Sequence, residues 1–239
     1  KVINNFMRHD WMKDLGPKKK GQFGYSKYIR ELFWCYVHLL KNSGCRPSEM
    51  LRLRRKDIEI TKEPRWSDSQ EKWVDEYKLK LHIRNSKTGK RRDVLCRSNA
   101  ANRLMGWFSF QNEYLKEFKP TQESFIFGKV EDLLDKTYSH SYLSARWREV
   151  MENCSLMLEG NRFSEQGYTL YSLRSTFIED CITDGLDVYL VARLVGNSVD
   201  VIQKHYDRHD VLKRAGEIQA LPIGVTKPPK PKVISLAEL

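Results

Sequence analysis

Residues 170–206 read LYSLRSTFIEDCITDGLDVYLVARLVGNSVDVIQKHY, and this stretch decides the fold. Gly185 and Gly196 each stop a helix, since glycine enters the left-handed backbone region without steric cost. Asp187 and Ser198 each offer a side-chain oxygen to the first N–H groups of the helix that follows. The stretch therefore predicts three short helices, at about 172–184, 187–195 and 198–206, joined by tight turns.

Upstream the pattern stays mostly helical. Ser26 can cap a helix in which Ile29, Leu32, Phe33, Tyr36, Val37 and Leu40 recur at helical spacing, and Gly44 can end it. Pro47 suits a first helical turn ahead of Leu51 and Leu53. Further helices are expected at about 98–118 and 140–153. One segment changes period: Tyr77, Leu79, Leu81 and Ile83 alternate with Lys78, Lys80, His82 and Arg84, as in a half-buried strand. Ser86 to Lys90 reads as a turn and Arg91 to Cys96 as a returning strand, a hairpin with Lys87 and Lys90 at its tip.

The ends differ in character. Residues 1–24 are polar and basic, with Lys18, Lys19 and Lys20 in a run interrupted on both sides by Gly16, Pro17, Gly21 and Gly24, and predict an arm or linker. Residues 222–239 mix proline and lysine before the apolar tip Val233, Ile234, Leu236 and Leu239, and predict an extended tail. The folded domain is expected between them, over 25–221. An opening Lys1 fits a piece of a longer protein.

Composition narrows the partners. Of the 239 residues 40% are hydrophobic, enough for a packed core, and no run reaches the roughly 20 apolar residues of a membrane span. A formal charge of +11 favours a polyanion, and nucleic acid is the usual one. The five cysteines are scattered without a C-x-x-C pair, which argues against zinc and a disulfide framework and for a reducing, cytoplasmic setting. There is no G-x-x-x-x-G-K-[ST], G-x-G-x-x-G or H-E-x-x-H. The six histidines show no ligand grouping, so neither a cofactor nor a bound metal is expected.

Two blocks carry chemistry: Ser43-Gly44-Cys45-Arg46-Pro47-Ser48-Glu49-Met50-Leu51, and the stretch from Leu170 to Tyr206. With the hairpin between them, over residues 25 to 210, the chain resembles the catalytic domain of tyrosine recombinases, the phage-integrase family. That family shows T-G-x-R-x-x-E, a hairpin lysine, H-x-x-R-H-x-F, L-G-H, and a tyrosine nine residues on. The resemblance implies an α+β fold, mainly α-helical with a small antiparallel three-stranded sheet, and a separate helical domain completing a clamp around DNA.

It also implies a reaction. A tyrosine oxygen attacks a DNA phosphodiester, giving a 3′-phosphotyrosine and a 5′-hydroxyl, and the bond energy kept in that link makes ATP unnecessary. The family pattern assigns the phosphate clamp to Arg46 and Arg174, the general acid to Lys87 with Lys90 as rival, and the nucleophile to Tyr206. Glu49 is expected to buttress Arg46. Two positions depart from the pattern: Tyr171 stands for the first histidine and Asn197 for the histidine of L-G-H, with Ser175 a milder third change. A phenol or amide can donate a hydrogen bond, but neither exchanges protons near neutral pH as histidine does.

The resemblance thus implies site-specific recombination of double-stranded DNA by a homotetramer, its tails packing on neighbours, in a bacterial host cell or mobile element. The alternatives are a DNA-binding accessory protein with weakened or lost catalysis, a topoisomerase IB-like nicking and religating enzyme, and a basic RNA-binding domain.

Overall fold

A computed structural model of the chain describes residues 2–12, 23–84, 89, 91–97, 99–116, 118–156 and 167–206. Its first compact unit is Lys1–Tyr206. The expected tail, and the expected boundary at 221, lie outside the described residues.

Within the arm expected over 1–24, residues 2–11 are helical, and residues 13–22 lie outside the described residues. Helix α1 (Val2–Phe6) runs into a π-helical turn at Met7–Trp11. Phe6, Met7 and Trp11 are buried, and Trp11 meets Phe33 with ring centroids 6.0 Å apart. Burying these three large side chains is worth several kcal/mol, enough to order this short segment against the core.

Helix α2 (Phe23–Ser43) starts three residues before the expected cap at Ser26. The predicted stripe is buried, and so are Tyr28, Cys35 and Leu39 around the cylinder. A helix apolar on nearly every side belongs at the centre of a domain, and α2 lies there. It packs on α4 (Ala100–Tyr114) and on α6 (Ser172–Thr183). Helix α5 (His140–Leu156) adds Leu143, Trp147, Val150 and Met151 to the same core.

Strands β1 (Ile58–Ser67), β2 (Lys72–Ile83) and β3 (Arg92–Leu95) form an antiparallel sheet in that order. The register pairs Leu81 with Val94 and Ile83 with Arg92, so the expected hairpin is present. Its tip residues 85–88 and 90, including Lys87 and Lys90, lie outside the described residues. β1 is the third strand that the resemblance implies, at a position the sequence pattern did not locate. It contains Pro64, which an edge strand accommodates because its outer N–H groups need no partner. A second, two-stranded sheet joins β4 (Gly128–Lys129) and β5 (Asp132–Thr137).

Short helix α3 (Pro47–Leu51) follows α2. The last three helices are α6, α7 (Val188–Val195) and α8 (Val199–Tyr206), with the stops and caps the sequence predicts. Gly185 and Gly196 have φ of 83° and 70°, and Asp187 accepts hydrogen bonds from the Tyr189 and Leu190 N–H groups. Phe177, Ile178, Cys181, Val191, Ala192, Val195 and Ile202 make a separate small core among these helices. The junction between the two cores is where the polar residues converge.

Candidate functional site

Arg46 sits at the entrance to α3 because the next residue is proline. Pro47 disfavours helical backbone at the residue before it, and Arg46 is accordingly extended at φ −68°, ψ 144°. The Arg46 N–H donates to Glu49 Oε2 at 3.0 Å, one half of a capping box. Tyr36 of α2 donates to the Pro47 carbonyl at 3.0 Å and ties α3 down.

Arg174 is stranger. It lies on the buried stripe of α6 with Phe177, Ile178 and Cys181, and it is completely buried. Its Nη1 donates to the Gly44 carbonyl at 2.5 Å and its Nη2 to the Val195 carbonyl at 2.8 Å. Those acceptors are the frayed ends of α2 and α7, whose last carbonyls have no partner within their own helices.

Asn197, in the turn between α7 and α8, joins the two arginines. Its Oδ1 accepts from Arg46 Nη2 at 3.1 Å and from Arg174 Nη2 at 2.9 Å. With donors on that side, the amide oxygen must face them, and the Nδ2 group is left to donate elsewhere. Arg46 Nη2 also donates to the Gly196 carbonyl at 3.2 Å.

Glu49 lies behind Arg46, its side chain 1% exposed. Arg46 Nη1 donates to Oε1 at 2.9 Å, as the sequence reading expects of a buttress. A third guanidinium, not expected, also holds it: Arg92 on β3 donates from Nη1 to Oε1 at 3.1 Å and from Nη2 to Oε2 at 2.7 Å. Arg92 Nε donates to the Leu194 carbonyl at 3.1 Å. Burial pushes the Glu49 pKa up, but the hydrogen bonds from Arg92 and Arg46 outweigh it and hold the carboxyl below its ordinary range. For Arg174 the shift is also downward, from burial first and then from repulsion by Arg46.

The other expected residues are placed less completely. Tyr171 is the N-cap residue of α6, one turn ahead of Arg174, and is 43% exposed. Tyr206 is the last residue of α8, and its side chain lies outside the description. Lys87 lies outside it altogether.

The arrangement carries excess positive charge. Three guanidiniums and one carboxylate meet with at most 16% side-chain exposure on any of the four. Arg174 Nε is buried with no hydrogen-bond partner among the described residues. Buried unpaired charge is costly, and an anion placed against it relieves that cost.

The fold has counterparts among solved structures. XerH site-specific recombinase bound to difH substrate matches with a TM-score of 0.59 at 16% identity, over 92% of this chain and 52% of that one. XerA recombinase gives 0.55 at 16%, over 93% and 63%. The Tn1549 transposon integrase in complex with transposon right end DNA gives 0.60 at 12%, over 91% and 62%. The chain has the tyrosine-recombinase fold. It spans only half to two thirds of the length of these recombinases. No protein-family model matches the sequence, and no curated protein matches it either. Among the described residues no helix is long and apolar enough to cross a membrane.

Proposed function

We propose that this chain cleaves and rejoins DNA strands in site-specific recombination, with Tyr206 as nucleophile. The supporting observation is that Arg46 and Arg174, from opposite ends of the sequence, aim one nitrogen each at a single oxygen acceptor, Asn197 Oδ1. Two guanidiniums so directed suit the non-bridging oxygens of a phosphodiester, which gain negative charge as phosphorus becomes five-coordinate. XerH was solved bound to difH substrate and the Tn1549 integrase in complex with transposon right end DNA, and the chain's charge of +11 is consistent with a DNA partner.

In this reading Tyr206 releases its phenolic proton to water as its oxygen forms a bond to phosphorus, while the bond to the 5′-oxygen breaks. The leaving oxygen takes a proton from Lys87, and rejoining reverses both steps. Arg46 and Arg174 hold the phosphate, Asn197 Nδ2 donates to it, and the exposed Tyr171 hydroxyl is a further donor at the mouth of the site. Because Arg174 is fully buried, phosphate reaches it only after a covering side chain turns aside. Four copies would synapse two duplexes, with Val233 to Leu239 of each tail seated on a neighbour; a tail-deleted chain that synapses DNA normally overturns that assembly.

A nicked suicide duplex that loses its 5′-hydroxyl fragment tests the chemistry. A protein–DNA adduct on a denaturing gel, absent in Tyr206→Phe, is the expected result. No adduct on a verified binding site would instead support the accessory reading, in which Tyr171 and Asn197 keep the clamp without turnover.

A further inference from the structure

We propose that Arg92 is a positioning residue that keeps the Arg46–Arg174 clamp cationic by taking up the charge of Glu49. The inference deepens the reading above and rests on it. Glu49 is both useful and harmful to such a clamp. Its carboxylate fixes the Arg46 fork, with Nη1 held on Oε1 and Nη2 thereby turned to Asn197. Left alone with Arg46, however, it would form a neutral pair at 2.9 Å and cancel the charge that phosphate needs. Arg92 removes that conflict. It grips the carboxylate with two N–H groups, against one from the Arg46 side chain, and its third donor is spent on the Leu194 carbonyl.

Three guanidiniums against one carboxylate leave two net positive charges at the site. A phosphodiester brings one negative charge, and the pentacoordinate state approaches two. The Arg92 side chain is 10% exposed, and each of its three nitrogens donates to an acceptor within the protein. It therefore acts through Glu49 and not by touching DNA. Its place in the fold supports this. β3 sets Arg92 opposite Ile83, on the inward side of the sheet that also carries buried Val94, so strand register delivers the guanidinium to Glu49.

The test compares single-turnover suicide-duplex cleavage by the full chain with that of Arg92→Gln, Glu49→Gln, the double variant and Arg92→Lys, with melting temperature as a folding control. Arg92→Gln should cleave on the order of 100-fold more slowly, because Glu49 then neutralises Arg46. The double variant should recover about 10-fold or more of that loss, since removing the carboxylate restores the charge. Arg92→Gln should also cleave faster as pH falls and Glu49 protonates, a trend absent from wild type. A merely structural arginine predicts neither rescue nor the inverted pH trend. Wild-type cleavage by Arg92→Gln, or a double variant no faster than the single, overturns the proposal. If Arg92→Gln fails to fold, Arg92→Lys and the double variant decide in the same way. Should wild type itself form no adduct, the functional reading fails separately. Sulfate-induced rise in melting temperature then reads the charge claim: smaller in Arg92→Gln and restored in the double variant, or unchanged and the claim falls.

Discussion

Arg46 and Asn197, 151 positions apart in sequence, meet at 3.1 Å between Nη2 and Oδ1. The same oxygen accepts from Arg174 at 2.9 Å, so one neutral acceptor aligns two cations without neutralising either. Asn197→Asp keeps the shape and adds a charge. It should bind both guanidiniums more tightly, raise the melting temperature, and compete with phosphate. Cleavage should fall on the order of 100-fold or more, below that of Asn197→Ala, which loses alignment only. Thermal melts and single-turnover rates on the three proteins check this, and an Asp variant as active as wild type would refute it.

Arg174 couples chemistry to folding. Its guanidinium satisfies the Gly44 and Val195 carbonyls at the ends of α2 and α7, so truncation leaves both acceptors unpaired. Arg174→Ala should lower stability by at least about 2 kcal/mol, besides abolishing cleavage. Arg174→Lys keeps the charge but lacks the fork, and should retain more stability with little activity. Urea denaturation of the three proteins, read beside adduct formation, separates these effects.

Gly44 has φ of 62°, and a Cβ there would lie 2.4 Å from Phe177 Cδ1 and 3.0 Å from Val195 Cγ1. Gly44→Ala therefore meets backbone strain and a clash within the small core of α6–α8. A loss of about 2–4 kcal/mol is expected. Its carbonyl is also an Arg174 acceptor, so the clamp should shift with it. Denaturant midpoints give the first effect, and cleavage below the melting point gives the second.

What could be read from the chain was local chemistry. Gly196, Asp187 and Pro47 each force a backbone state through their own covalent structure, and the helices around them fell where expected. Glu49 was legible because it shares one helical turn with Arg46. Arg92 was not, because its carboxylate lies 43 residues away and depends on sheet register. The signal available was a charged residue on the same alternation as inward-facing Val94 and Cys96. β1 escaped because Ile58 and Ile60 alternate only briefly before Glu63, Pro64 and Arg65 break the pattern. At the start, Met7 and Trp11 stand four apart on one face, a signal diluted by the glycines and lysines that follow.

Tyr171 is the exposed departure from the histidine pattern, one turn before Arg174. If proton transfer at this position limits the reaction, Tyr171→His should raise the cleavage rate near neutral pH, where imidazole titrates. Tyr171→Phe should lower it by removing the hydroxyl donor. Since the side chain is 43% exposed, neither change should move stability by more than about 0.5 kcal/mol. Rates measured from pH 6 to 9 decide: a flat or slower Tyr171→His would mean that the phenol is adapted to its surroundings.

His38 on α2 predicts an acid sensitivity unconnected with the clamp. Its Nε2 is buried without a hydrogen-bond partner among the described residues, and burial, followed by the charges of Arg103, Lys41 and Arg8, lowers its pKa to about 4. The ordinary value is 6.5, so as pH falls the unfolded chain takes up this proton first. Stability should therefore be full above pH 6.5 and decline toward pH 4, by on the order of 2 kcal/mol. His38→Gln removes the titrating group and should flatten that decline. It leaves the separate loss at still lower pH, where Glu49 protonates and its pairs with Arg92 and Arg46 break. Urea unfolding at half-unit steps from pH 7.5 to 4 compares the two slopes directly; parallel curves would show that His38 is not the group responsible.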